Sequence, residues 1–102
     1  MGIADRSTVE MNHDSGPAAR QVVITGRVTV RPKPGVLDPE AQAIGRELST
    51  LGFDEVQSIV VGKVFEVRVE ARSAEAAHER LEQMAERLLA NPVIETWQID
   101  VL

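Results

Sequence analysis

The chain of 102 residues contains no cysteine and no tyrosine, and its aromatic residues are limited to Phe53, Phe65 and Trp97. Without cysteine there are no disulfides, no thiolate metal sites and no cysteine nucleophile. The two histidines, His13 and His78, lie too far apart and in contexts too different to read as a metal pair. Basic residues are also in short supply: 11 Lys and Arg stand against 16 Asp and Glu, for a formal net charge of -5. Proteins that bind phosphate backbones cluster cations, and RNA-recognition domains add aromatic platforms on their central strands, so nucleic acid is excluded as a partner. No apolar run approaches the roughly 18–20 residues of a membrane span, and the N-terminus lacks the basic-then-apolar order of a secretory signal. The expected setting is cytoplasmic.

What remains is an ordinary globular composition, 43% hydrophobic and 26% charged, enough for one domain. At this size the buried fraction is modest, so the fold needs good packing or a partner. Residues 1–20 mix Asn, Asp, Ser, Gly, Pro and His with no sustained period and read as a disordered N-terminal tail. Residues 21–102 read as the domain.

Val22, Ile24, Val28 and Val30 alternate with more polar positions, giving a half-buried strand in which Gly26 marks a bulge or a close approach. Pro32-Lys33-Pro34-Gly35 stops it. Asp38 and Pro39 suit the N-cap and first position of a helix whose apolar face is Ala41, Ile44, Leu48 and Leu51, with Gly52 as its left-handed stop. Val56–Val61 and Val64–Ala71 read as two strands around a tight Gly62-Lys63 turn. Ser73 then caps a helix with the stripe Ala77, Leu81, Met84 and Leu88, ended by Asn91-Pro92. A last strand, Val93–Val101, places Trp97, Ile99 and Val101 on one side. The order predicts an α+β, two-layer βαββαβ ferredoxin-like sandwich, with two helices on one face of a mainly antiparallel four-stranded sheet. Its uncovered face, with Val23 and Thr25, is half apolar and suited to dimerisation.

No set of acid, base and nucleophile converges. Glu66, Glu70, Glu75, Glu79, Glu82 and Glu86 are numerous, but they fall on solvated faces, where nothing would split their pKa values for acid–base work. Gly62-Lys63 lacks the spacing and the following Ser or Thr of a phosphate loop. A stand-alone enzyme is therefore the weakest reading. A small-molecule regulatory domain of the ACT type, which shares the βαββαβ order and binds amino acids at dimer interfaces, is the main alternative to an assembly subunit.

Pro32-Lys33-Pro34-Gly35-Val36-Leu37-Asp38-Pro39, Leu51-Gly52-Phe53, Gly62-Lys63 and Leu88-Leu89-Ala90-Asn91-Pro92-Val93-Ile94-Glu95 occur in this order and spacing. Together they resemble the PurS family, the small subunits of phosphoribosylformylglycinamidine (FGAM) synthase, over about Val22 to Leu102. The resemblance implies a non-catalytic subunit of an ATP-dependent glutamine amidotransferase of de novo purine biosynthesis. It implies a homodimer or higher oligomer that bridges synthetase (PurL-like) and glutaminase (PurQ-like) subunits and assists ammonia transfer between them. On this reading ATP and Mg belong to the synthetase partner, and no cofactor, metal or catalytic residue belongs to this chain. The partner-facing candidates are Arg31, Lys33, Asp38, Lys63, Asn91 and Glu95, which sit on turns and strand ends. Relatives commonly carry Gln-Gly where this chain has Glu40-Ala41, and a basic residue near Val60.

Overall fold

The computed structural model describes residues 20–102, so the expected tail lies, Arg20 apart, outside the described residues. Three strands, β1 (Val22–Pro32), β2 (Lys63–Ala71) and β3 (Glu95–Val101), form one antiparallel sheet in the order β2-β1-β3. Helix α1 (Pro39–Thr50) lies between β1 and β2 in the chain, and α2 (Ala74–Met84) between β2 and β3.

The core follows from the alternation in β1. Val28 and Val30 are fully buried, paired with Phe65 and Lys63 of β2 on one side and with Ile99 and Trp97 of β3 on the other. Directly paired residues of antiparallel strands share a face, so Ile24, Val28, Val30, Phe65, Val67, Trp97 and Ile99 form one apolar surface. Helix α2 packs on it through Ala77 and Leu81, and the following turn adds Ala85. Gly26 makes a close approach and no bulge: it is paired regularly on both sides, and a Cβ there would lie 2.2 Å from Leu81 Cδ1.

The capping chemistry matches the sequence. Asp38 accepts from the Glu40 and Ala41 amides, and Pro39 opens α1. At the other end the Phe53 amide donates to the Leu48 carbonyl at 2.9 Å and the Gly52 amide to Ser49, with Gly52 at φ +97°, the paired bonds of a Schellman motif. Ser73 accepts from the Ala76 amide to start α2.

Five expectations are corrected. The single chain forms three of the four expected strands, because no ladder takes in residues 56–62. The favoured two-residue hairpin turns take a positive φ at their first central residue, and among the described residues the positive-φ glycines are Gly35 and Gly52, so Gly62-Lys63 does not form such a turn. Helix α1 buries none of its residues, while α2 is the helix seated on the sheet. Leu88 is 82% exposed instead of continuing the α2 stripe. Residues Ala85–Leu89 adopt a π turn, closed by the Ala90 amide on the Ala85 carbonyl, which rotates each residue through less than the α-helical angle and swings Leu88 outward. Finally, the last strand starts at Glu95, since Val93 and Ile94 belong to a turn.

The far face of the sheet is more polar than expected. It carries Arg27, Glu66, Arg68, Glu70, Gln98 and Asp100, with Arg27 Nη2 3.1 Å from Glu66 Oε2 across the β1–β2 pair. Such a face is satisfied in water.

Candidate partner-binding surface

One end of the sheet gathers the exits and entries of all three strands. There Pro32 pairs with Glu95, Arg31 with Thr96, and Val30 with both Lys63 and Trp97. Five of the six candidate residues are brought to this end: Arg31, Lys33, Lys63, Asn91 and Glu95. Asp38 is different, since its carboxylate is committed to the α1 N-terminus.

Two turns built from the proline blocks shape the surface. Lys33-Pro34-Gly35-Val36 closes with the Val36 amide donating to the Lys33 carbonyl at 3.2 Å, Pro34 presetting its φ and Gly35 at +85°. This residue choice is that of a type II turn. Opposite it, Asn91 Oδ1 accepts from the Val93 amide at 3.0 Å, and the Asn91 carbonyl accepts from Ile94 and Glu95. The side chain thus stabilises its own turn. The Lys33 amide donates to the Ile94 carbonyl at 2.8 Å and ties the two connections together.

Glu95 is the hub of the charged group. Its side chain is 19% exposed, accepts from the Asn91 amide through Oε1 at 2.7 Å, and holds Lys63 Nζ 4.0 Å from Oε2. Arg31 is exposed and its Cγ lies against Gly62. Lys63 is the cation beside that carboxylate, while Arg31, paired with Thr96, belongs to the opposite face of the sheet. Leu37, Leu88 and Val93, all more than two-thirds exposed, add apolar side chains to the same two connections.

Chemically, the surface is suited to docking. Among the described residues no group of three or more His, Cys, Asp and Glu is disposed to hold a metal ion. The exposed Leu88 and Val93 were not legible as surface features, because a regular helix would have turned Leu88 inward. Alternation places Trp97 on one side of the last strand and says nothing of its partner; its Nε1 donates to Glu82 Oε1 at 2.8 Å. The indole's need for an acceptor when half-buried was the available signal.

Comparison with known proteins gives one family over most of the described domain. The family model for PurS, phosphoribosylformylglycinamidine (FGAM) synthase, matches residues 25–102. The phosphoribosylformylglycinamidine synthase subunit PurS of Archaeoglobus fulgidus is 44% identical over 72 residues, which are 71% of this chain and 90% of that protein. Methanocaldococcus jannaschii PurS, one of the subunits of formylglycinamide ribonucleotide amidotransferase in the purine biosynthetic pathway, superposes with a TM-score of 0.69 at 35% identity. The match covers 78% of this chain and 95% of that one. A chain of the PurLQS structure from Thermotoga maritima superposes with a TM-score of 0.73 at 30% identity, covering 79% and 99%. Sequence and architecture agree over the same span, and the chain belongs to the PurS family of FGAM synthase subunits.

Proposed function

We propose that this chain serves as the PurS subunit of FGAM synthase, a non-catalytic adaptor that joins the glutaminase and synthetase subunits and assists ammonia transfer. The observation that carries the reading is the family match over residues 25–102, the stretch that folds into the sheet, its helices and the two proline-bearing connections. The likeness to a chain of PurLQS supports PurL-like and PurQ-like partners. ATP and Mg are bound by the synthetase partner, and the setting is the cytoplasm. Arg31, Lys33, Lys63, Asn91 and Glu95 form the partner-facing surface, and Asp38 contributes by fixing α1. The chain works as a homodimer or higher oligomer. The amino-acid-binding regulatory reading is not favoured, since the family matched is that of a synthase subunit.

The test is reconstitution. Mixed with its synthetase and glutaminase, the chain should restore glutamine-dependent FGAM formation, while ammonia-dependent formation by the synthetase should need it less. Equal glutamine-driven turnover with and without the chain would overturn the proposal.

A further inference from the structure

A cleft of about 130 Å³ opens between helix α1 and the segment that follows it. None of its lining residues is among the partner-facing candidates. Gly45 and Ser49 line it from the helix, four residues apart and therefore on one flank, and Asp54, Ser58 and Ile59 line it from the returning chain. Ile44, the larger apolar side chain next along α1, stands roughly 100–140° around the helix from that flank. The cleft is thus separate from the apolar strip of α1.

Gly45 shows that the space is kept open at a cost. Inside a helix only proline is less favourable than glycine, and here no contact demands it. Outside its own helix and chain neighbours, a Cβ at Gly45 would meet Ile59 Cδ1 alone, at an ordinary 3.8 Å. The helix gives up stability, and the cleft gains the room that a methyl group would fill.

The lining limits what can occupy that room. Asp54 is its one charged side chain, and no basic residue lines it. The Ser49 hydroxyl donates to Asp54 Oδ1 at 3.4 Å, a long bond that orients the carboxylate and leaves most of its acceptor capacity free. Ser58 adds a second hydroxyl, and Phe53 and Ile59 supply apolar wall. The volume is well below the roughly 300 Å³ at which nucleotide- and drug-sized sites begin, so ATP and ribonucleotides do not fit. A free amino acid is disfavoured as well, because its carboxylate would meet Asp54 with no cation to offset it. A cation on a short carbon stem satisfies every part: the carboxylate and hydroxyls accept from it, the Phe53 ring attracts it, and the stem covers Ile59.

We propose that this cleft binds a primary alkylammonium group, with Asp54 as its counter-ion and the space beside Gly45 for its stem. The adaptor reading neither requires nor supplies such a site, so the two stand or fall separately.

Amide chemical shifts of the full isotope-labelled chain, titrated with n-butylammonium chloride, test the site. Saturable shifts are expected at Gly45, Ser49, Ser58 and Ile59, half-complete in the millimolar range. Butanol keeps the stem without the charge, ammonium chloride keeps the charge without the stem, and each should bind at least about tenfold more weakly. Asp54→Asn should weaken n-butylammonium by a similar factor. Gly45→Ala should weaken it while leaving α1 at least as stable, which separates a filled cleft from a lost fold. An Nα-acetyl-lysine amide probe distinguishes the two carriers of this group: tighter binding of the short amine assigns the cleft to a free small molecule, and tighter binding of the lysine probe assigns it to a protein side chain. The absence of saturable shifts at these amides overturns the proposal, as does equal binding of butanol or of ammonium. Undiminished binding by Asp54→Asn or by Gly45→Ala overturns it too.

Discussion

Asn91 and Glu95 clasp each other across one turn: the Glu95 amide donates to the Asn91 carbonyl at 2.7 Å, and the Asn91 amide donates to Glu95 Oε1 at 2.7 Å. This reciprocal pair fixes where β3 begins, and through the Lys33–Ile94 bond it fixes the first proline block as well. Replacing Glu95 with Ala removes a charged acceptor from a backbone donor, at a cost of about 1–2 kcal/mol. Glu95→Gln should recover most of that loss, because an amide oxygen still accepts. Lys63→Ala should cost no more than about 0.5 kcal/mol, since its 4.0 Å contact is mostly in solvent. Urea titrations compare the three. A Glu95→Gln variant as unstable as Glu95→Ala would mean that charge, and not the hydrogen bond, holds the turn.

Gly26 is placed by Leu81. Gly26→Ala inserts a methyl group where Leu81 Cδ1 already sits, and overpacking of that kind costs about 1–3 kcal/mol. Leu81→Ala, which empties a fully buried site, should cost about 2–5 kcal/mol. The double variant should be more stable than the sum of the two losses by at least about 1 kcal/mol, as the new methyl group then occupies vacated space. Thermal or urea unfolding of the four proteins decides it, and strict additivity would show that the two side chains do not compete.

The elements most legible in the sequence were those set by local chemistry. Asp38-Pro39, Ser73 and Leu51-Gly52-Phe53 specify helix ends through donors and acceptors within a few residues, and β1 declares its buried face by alternation alone. The missing strand was illegible for a complementary reason. Residues 56–61 have strand composition, but pairing depends on whether Gly62 takes a positive φ, and Gly62 faces the Val30 carbonyl, a contact made by a residue 32 positions earlier in the chain. The outward turn of Leu88 is similar, since it follows from a π turn that leaves no signature in apolar spacing. The docking end was legible as two odd connections. That they meet depends on the β1–β3 register, which pairs Pro32 with Glu95.

Trp97 offers an intrinsic probe, being the one tryptophan of the chain. Its Nε1 bond to Glu82 joins β3 to the solvent-side edge of α2, and Glu82→Ala leaves that donor unpaired at a cost of about 1 kcal/mol. The same change should alter Trp97 emission without unfolding, whereas Glu82→Gln should leave it near that of the unmodified protein. Fluorescence spectra read in parallel with far-ultraviolet circular dichroism check this. An unchanged spectrum in Glu82→Ala would argue that the indole finds another acceptor.

Asp38 tests whether α1 depends on its cap. Asp38→Ala removes the acceptor for two amides and should cost about 1 kcal/mol of helix stability, while Asp38→Ser should keep most of it. Because α1 buries no residue within its own chain, the loss should appear in the exchange of α1 amides and in self-association before it appears in the unfolding of the β1–β3 core. An equal loss in the core would show that α1 and the sheet unfold as one unit within each chain.

Leu88 and Val93 separate docking from folding. Both side chains are largely in solvent, at 82% and 78% exposure, so Leu88→Glu and Val93→Glu should change stability by no more than about 0.5 kcal/mol. On the adaptor reading they lie on a connection that meets partner subunits, where burying a new carboxylate is costly and where apolar side chains centred in an interface carry much of its affinity. Each substitution should therefore lower glutamine-dependent FGAM formation at limiting subunit concentration by tenfold or more, in the order of magnitude of a single lost anchor. Higher subunit concentration should restore much of it, because affinity is lost and no reacting group is touched. Lys33→Glu, at the facing turn, should behave alike and more strongly at low salt. Titration of the chain into synthetase and glutaminase measures all three. Full activity of every variant at limiting concentration would remove this end of the sheet from the interface, and would direct attention to the far face, where Arg27 and Glu66 pair in water.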